Sequence, residues 1–175
     1  AKKLVWPVAR LYSETYLRQE DKDRISALVD EILEASHGVI NNAGFLSDAT
    51  KAKAIEKLEA MNKAVLFPDD WSKYACDGLD FTSKDEGGTL WAAEKSIAAF
   101  AIAQNVREFS EPVDHSKWPM PPNTVNCMYY KVANTMYIFG AFSQGALYSS
   151  DMSDEEVYGK LGWVIGHEIS HAFTT

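Results

Sequence analysis

The sequence predicts an α+β fold that is predominantly α, in which a helical region is followed by a short β segment and a final helix. Three observations support this prediction. Apolar residues recur at three- and four-residue intervals over residues 23–40, as on one face of a helix. Residues 124–130 and 135–139 are rich in valine, tyrosine and isoleucine, which favour strands. A helix-capping pattern at Ser153 then predicts the last helix.

Three helices are predicted before the β segment. The first spans about residues 23–40, and its inward stripe consists of Ile25, Leu28, Val29, Ile32, Leu33, Val39 and Ile40. The second spans about residues 47–62, with Ser47 as its N-cap. The third, over about residues 89–109, is apolar on nearly all sides, a pattern typical of a helix buried between others.

A proline-rich segment at residues 111–122 predicts a boundary between two regions. We therefore predict a helical region over residues 1–115 and a second region over residues 116–175. The final helix of the second region begins at Ser153, whose capping box with Glu156 marks its first turn. Its predicted core-facing residues are Val157, Leu161, Val164, Ile165 and Ile169.

Composition and charge argue against several classes of partner. The chain has 175 residues, of which 46% are apolar and 24% charged, as in an ordinary globular domain. Its net charge of -8 and its lack of a Lys/Arg cluster argue against binding to nucleic acid or to anionic membrane surfaces. The longest apolar stretch, residues 97–103, is too short to span a bilayer, and the first residues lack the apolar core of a signal peptide. The location of the protein stays open.

The isolated cysteines and histidines carry little chemical signal. Cys76 and Cys127 lie far apart and outside any Cys-x-x-Cys pattern. They predict neither a disulfide scaffold nor a thiolate zinc site, although a single disulfide between them is left open. For His37 and His115, a surface or core-edge position is the simpler interpretation.

The strongest chemical signal is His167-Glu168-x-x-His171 on the predicted final helix. Histidines four residues apart project from one helix face and can share a metal ion. Zinc accepts neutral imidazole, and a catalytic zinc site has three protein ligands and an open position. Glu168 stands next to the first histidine, where it can take a proton from a water molecule that the metal activates. The alternative is a solvated helix face that bears two incidental histidines.

Longer stretches extend this signal. The segment from Val164 to Phe173 reads Val-Ile-Gly-His-Glu-Ile-Ser-His-Ala-Phe, and the segment from Trp118 to Tyr130 contains Val-Asn-Cys-Met-Tyr. They resemble the zinc helix and the Val-Asn-Ala-Tyr/Phe-Tyr strand motif of the neprilysin-like (M13) zinc metallopeptidases. Further matches to this family, in its order, are Val8–Tyr12, Thr50–Leu58, Phe67–Trp71 and Asn134. The resemblance implies a thermolysin-like catalytic lobe, here incomplete, that faces a helical lobe and cleaves internal bonds of oligopeptides.

The resemblance also implies roles in substrate binding. Asn126 would hydrogen-bond the substrate backbone, and Cys127 would add a main-chain contact. The pocket for the side chain that follows the cleaved bond would be lined by Phe142, Leu147, Trp163 and Val164. Simple core packing of these four residues is an alternative that the sequence leaves open.

Departures from the family pattern lead to two hypotheses. Cys127 stands where the family has alanine, residues 138–143 differ from its Phe-Pro-Ala-Gly-Ile-Leu run, and its third zinc ligand, a downstream glutamate, has no counterpart here. The first hypothesis is an incomplete fragment of a zinc metalloendopeptidase, with His167 and His171 as ligands and Glu168 as general base. The second is a non-catalytic helical module or pseudo-enzyme that at most binds peptides. In either case we expect self-association through the exposed truncated face, the inner face against which the missing lobe would pack.

Overall fold

The computed structural model describes residues 3–174 and confirms an α+β fold that is predominantly helical. The α-helices are α1 (Val5–Tyr16), α2 (Gln19–Asn41), α3 (Asp48–Glu59), α4 (Leu90–Ser110), α5 (Asp154–Val157) and α6 (Trp163–Ser170). The strands are β1 (Asn62–Leu66), β2 (Cys127–Tyr130) and β3 (Thr135–Phe139). Short 3₁₀-helices lie at Ser72–Tyr74 and Lys131–Ala133, and a π-helix lies at Tyr158–Gly162.

The chain divides into two compact units. The first unit combines the segment that ends at Val8 with Asp70–Lys117, and the second combines Ala9–Asp69 with the segment from Trp118 onward. The histidine motif, the sheet and helices α2 and α3 all belong to the second unit. The predicted division of the sequence into a helical region and a catalytic region stays a prediction.

Helices α2 and α3 form where the apolar spacing predicts them. On the predicted inward stripe of α2, Ile25 and Val29 are fully buried, but Val39, near the end of the helix, is 72% exposed. Ser47 is the N-cap of α3, as predicted, because its Oγ accepts a hydrogen bond of 3.3 Å from the N–H of Thr50. Local sequence signals therefore account for both helices.

Among the described residues, the three strands form one sheet with β3 in the centre, parallel to β1 and antiparallel to β2. Every residue of β3 is buried. β2 begins at Cys127 rather than at the predicted residue 124, because the Thr124 N–H closes a turn onto the Pro121 carbonyl at 3.0 Å. The second helix, predicted to reach Asn62, ends at Glu59, and Asn62 begins β1 instead.

Helix α4 forms as predicted, but it is not buried between other elements. None of its residues is buried, and Trp91 and Phe109 are 75% and 94% exposed. The prediction of a buried helix is therefore wrong. The physical reason is that the other described residues of the first unit form only the start of α1, the helix Ser72–Tyr74 and loops. Neither α4 nor any other helix within residues 3–174 is long and apolar enough to cross a membrane.

The final helix runs without a break from α5 through the π-helix into α6. Its predicted capping box is present: Ser153 Oγ accepts from the Glu156 N–H at 3.3 Å, and Glu156 Oε2 accepts from the Ser153 N–H at 3.1 Å. In a regular α-helix, residues four apart are rotated by about 40° around the axis, so a row of such residues moves gradually off one face. The wider π-turn offsets part of this rotation. One buried face is thereby kept by Val157, Leu161, Ile165 and Ile169.

The core of the second unit lies where α2, the sheet and the final helix meet. Ile25 of α2, Ile138 of β3 and Ile165 of α6 belong to one apolar cluster, and all three are fully buried. Because protein interiors are close-packed, this cluster fixes the position of α6 against the sheet. The two histidines, His167 and His171, lie on the opposite, solvent-exposed face of the helix.

Candidate metal centre

Helix α6 places two imidazoles side by side. His167 and His171 are four residues apart, so both project from the same face. The two rings are nearly perpendicular, at 84°, with centroids 4.6 Å apart. Their Nε2 atoms are 3.1 Å apart, and both side chains are exposed to solvent. The structure thus brings together the two histidines that the sequence pattern singled out.

The donor atoms fit a tetrahedral metal such as zinc. Two imidazole nitrogens bound at 2.0–2.1 Å with a tetrahedral angle would lie about 3.3 Å apart, close to the observed 3.1 Å between the two Nε2 atoms. A carboxylate oxygen of Glu168 completes a group whose potential ligand atoms all lie within 4.8 Å of one another. Within residues 3–174, this is the one group of three or more such side chains.

Glu168 differs from the histidines because it is buried, with 7% of its surface exposed. Its Oε2 accepts a hydrogen bond of 2.8 Å from the main-chain N–H of Tyr129 in β2. Within the part of the chain that is described, Oε1 accepts no hydrogen bond. One carboxylate oxygen is therefore held by the sheet, and the other is left for a further partner.

Trp163 lies one turn before His167 on the exposed side of α6. The two rings are stacked, with centroids 6.0 Å apart and planes 28° apart. The Trp163 side chain is 70% exposed, so the core-packing alternative does not hold for this residue. An exposed aromatic ring in this position can contact an apolar group bound beside the two histidines.

The other residues predicted to contact substrate lie in different environments. Phe142 and Val164 are half-buried against the hydrophobic core, as the core-packing alternative expects. Leu147 is half-buried in the loop between β3 and α5. Asn126 is half-buried just before β2, where its main-chain carbonyl accepts from the Phe139 N–H at 3.4 Å. Their roles in substrate binding stay predictions.

Cys127 is the first residue of β2 and lies close to the metal centre. Its side chain is buried, and it is a free thiol, as is Cys76. Burial raises the pKa of the Cys127 thiol, and the negative charge of Glu168 raises it further. The thiol therefore stays protonated at neutral pH and behaves as a small apolar group.

Comparison with known proteins identifies the family. The model of peptidase family M13 matches residues 1–68. The neutral endopeptidase of Lactococcus lactis subsp. cremoris is 31% identical over 166 residues, which cover 95% of this chain and 26% of that protein. The chain belongs to the neprilysin-like M13 family. Neprilysin-1 of Trittame loki is 29% identical to this M13 chain over 177 residues, 97% of the chain and 24% of the relative.

Solved structures agree with this assignment. The crystal structure of PEPO from Lactobacillus rhamnosis HN001 (DR20) has a TM-score of 0.83 and 30% identity, and covers 97% of this M13 chain. The Mycobacterium tuberculosis zinc metalloprotease ZMP1, solved in complex with an inhibitor, has a TM-score of 0.76 and 28% identity, and covers 95%. The chain spans about a quarter of these proteins, 26% and 24% of their chains.

Sequence reasoning missed the residue that holds Glu168 in this M13 chain. Tyr129 was part of a recognised strand motif, but its N–H was not predicted to bond the carboxylate. Strand periodicity offered a signal, because Cys127 and Tyr129 share one face of β2 and both are buried. No local pattern indicates that this face meets a residue 39 positions away along the chain.

Proposed function

We propose that this chain carries part of the catalytic centre of a zinc-dependent metalloendopeptidase. The observation that carries the proposal is the 3.1 Å separation of the His167 and His171 Nε2 atoms beside the buried carboxylate of Glu168. The names of two relatives support it: one is a neutral endopeptidase, and the other is a zinc metalloprotease.

The proposed mechanism divides the work among three side chains. His167 and His171 would hold the zinc ion through Nε2. When bound, zinc supplies Lewis acidity that polarises the carbonyl of the bond to be cleaved. Glu168 is the general base: the Tyr129 N–H fixes Oε2, and Oε1 takes a proton from the attacking water. The sheet thereby orients the base towards the reacting atoms.

The proposed substrates are peptides, bound along β2 and α6. β2 is an edge strand, a position from which main-chain groups can bond an extended peptide. Asn126 and Cys127, at its start, are the proposed contacts to the substrate backbone. The side chain after the cleaved bond would contact a pocket lined by Phe142, Leu147, Trp163 and Val164.

We propose that the active enzyme is longer than this chain, which would then be an incomplete fragment. The chain spans 26% of the Lactococcus relative. Among residues 3–174, the ligand cluster contains two histidines and the proposed base, whereas a catalytic zinc has three protein ligands. The third ligand would come from a part of the protein outside these 175 residues.

Zinc stoichiometry and affinity of the purified chain test the metal site, by equilibrium dialysis with metal analysis. Binding of one zinc ion per chain that His167→Ala strongly weakens would support the proposal. Binding that His167→Ala leaves unchanged would place the metal elsewhere. In the complete protein that carries this sequence, Glu168→Gln should retain zinc and lose peptide hydrolysis, and retained hydrolysis would remove Glu168 from the role of base.

The alternative function is a non-catalytic helical module or pseudo-enzyme that at most binds peptides. One observation favours it, namely that the described cluster offers two imidazole ligands, and two histidines generally hold zinc weakly. This alternative predicts that the complete protein retains no zinc after dialysis and cleaves no peptide. Tight zinc binding by the complete protein would exclude it.

We further propose that the isolated chain self-associates through α4. Ile102, Val106 and Phe109 follow helical spacing and are 63%, 63% and 94% exposed. Exposed apolar patches favour association in water. Sedimentation velocity over a range of protein concentrations tests this proposal, with Phe109→Ser as the comparison. A wild-type chain that stays monomeric at all concentrations would contradict it.

A further inference from the structure

A chain of hydrogen bonds behind the metal centre connects α3 to the turn that carries His171 and to the carboxylate of Glu168. Three residues of the second unit form it: Lys57 in the last turn of α3, Tyr129 in β2, and Asn134 in the turn between β2 and β3. None of the three belongs to the metal-ligand group.

The first link joins Lys57 to the turn that carries His171. The Lys57 ammonium donates a hydrogen bond of 2.5 Å to the main-chain carbonyl of Ala172. This carbonyl lies at the C-terminal end of α6, where carbonyls lack helical partners and the helix dipole is negative. A cation at this position satisfies an unpaired acceptor and stabilises the last turn. The same ammonium lies 5.9 Å from the centroid of the Tyr129 ring.

The second link joins Lys57 to Tyr129 through Asn134. The Asn134 Nδ2 donates to the Lys57 main-chain carbonyl at 3.0 Å, and its Oδ1 accepts from the Tyr129 hydroxyl at 2.8 Å. Asn134 has a left-handed backbone, with φ 44° and ψ 48°, a conformation that asparagine tolerates better than most residues. Burial raises the pKa of the Tyr129 phenol, which therefore remains a donor at neutral pH.

The third link joins Tyr129 to the proposed base. Its main-chain N–H donates to Glu168 Oε2 at 2.8 Å in a buried setting. Two hydrogen bonds therefore restrain Tyr129: its hydroxyl is held by Asn134, and its main-chain N–H is held by Glu168. The direction of its N–H, and hence the position of the carboxylate, depends on that restraint.

We propose that Lys57, Asn134 and Tyr129 form a buttress that positions His171 and Glu168 from behind. The Lys57 side chain holds the turn of His171, and Asn134 holds Tyr129 against Glu168. All three are positioning residues. Their effect on metal binding and proton transfer rests on the proposed function, whereas their effect on local structure does not.

Amide hydrogen exchange of the metal-free chain, followed by NMR, tests the buttress directly. Lys57→Met should accelerate exchange at Ala172 and Phe173 about fivefold, as expected for the loss of one hydrogen bond, and leave the Tyr129 amide unchanged. Tyr129→Phe should accelerate exchange at the amide of residue 129 and leave Ala172 and Phe173 unchanged, because it breaks only the link to Asn134. Lys57→Arg should retain the protection of the last turn.

Matched controls separate this local effect from a general loss of stability. Lys53→Met removes a lysine from the same helix that pairs with the exposed Glu56, and Tyr130→Phe removes the hydroxyl of a neighbouring, exposed residue. Neither should change exchange at Ala172 or at residue 129. Equal acceleration of all amides by Lys57→Met and Tyr129→Phe, or no acceleration by either, would overturn the proposal.

Zinc affinity of the same variants supplies the functional readout. Lys57→Met should weaken zinc binding roughly tenfold, the low end for loss of a residue behind a ligand, and Lys57→Arg should restore it. Tyr129→Phe should leave zinc affinity unchanged, since Tyr129 positions Glu168 and not the histidines. In the complete protein it should lower kcat without raising KM. If the wild-type chain bound no zinc, the site would need the ligand proposed to lie outside these residues, and the zinc comparison would be made in the complete protein. The exchange data would still decide the buttress.

Discussion

The hydrogen bond from the Tyr129 N–H to the Glu168 carboxylate should contribute measurably to the stability of the metal-free chain. Glu168→Gln and Glu168→Leu both remove the buried charge and keep a similar side-chain size. Only glutamine retains an oxygen that can accept the N–H. Leucine leaves a buried donor unpaired, which costs about 1–3 kcal/mol. We expect the free energy of unfolding of Glu168→Leu to lie below that of Glu168→Gln by this amount.

Urea denaturation with EDTA at neutral pH measures this difference, with circular dichroism and tryptophan fluorescence as two probes of unfolding. For a urea slope of about 2 kcal/mol per M, a difference of about 2 kcal/mol moves the midpoint by about 1 M. Glu59, an exposed residue of α3, offers a control pair, because its Gln and Leu variants should agree within about 0.5 kcal/mol. Equal stability of the two Glu168 variants would refute the reasoning, since the N–H would then not depend on that acceptor.

Three further predictions concern packing, pH and thiol reactivity. Ile165 is fully buried, so Ile165→Ala should destabilise the chain by about 2–5 kcal/mol and Ile165→Val by about 0.5–1.5 kcal/mol in urea denaturation. The hydrogen bond from Lys73 lowers the pKa of Asp114 in the folded chain. The ionised carboxylate should therefore stabilise the folded state fully above the unfolded carboxyl pKa of about 4, and this contribution should disappear as the pH falls through the lowered folded-state pKa. Thermal melts from neutral pH to about pH 2 should show this loss of stability, and Asp114→Asn should abolish the part of it that comes from Asp114. Cys127 is 7% exposed, so a thiol reagent should label Cys76 first in the folded chain, and equal labelling rates would contradict the burial.

The elements that were predicted correctly have signals within a few residues. The β3 strand was predicted at its observed bounds because Thr-Met-Tyr-Ile-Phe is a compact run of residues that favour strands. Ser47 was predicted as a cap from its residue type before a helical pattern, and Ser153 from its capping box with Glu156; each accepts from the amide three residues further along. Signals of this kind need no knowledge of the rest of the fold.

The elements that were missed or misjudged depend on contacts between distant segments. The five residues of β1 have no helical or strand period of their own, and they become a strand by pairing with β3. The apolar surface of α4 predicts that it needs a partner, but it does not show whether the described chain contains one. The Tyr129 bond to Glu168 likewise exists only because β2 and α6 pack together.

The helical geometry of α6 explains why one short motif supplies both the exposed histidines proposed as ligands and the buried glutamate proposed as base. At about 100° per residue, His171 lies about 40° around the helix from His167, and Glu168 lies about 100° from it. Ile165 and Ile169, which face the core, lie at about 160° and 200° from His167. Glu168 is therefore at the border between the two faces, where a side chain can be buried against β2 and still stand beside the imidazoles. A carboxylate at any other position of this turn would be either fully solvated or removed from the face that carries the two histidines.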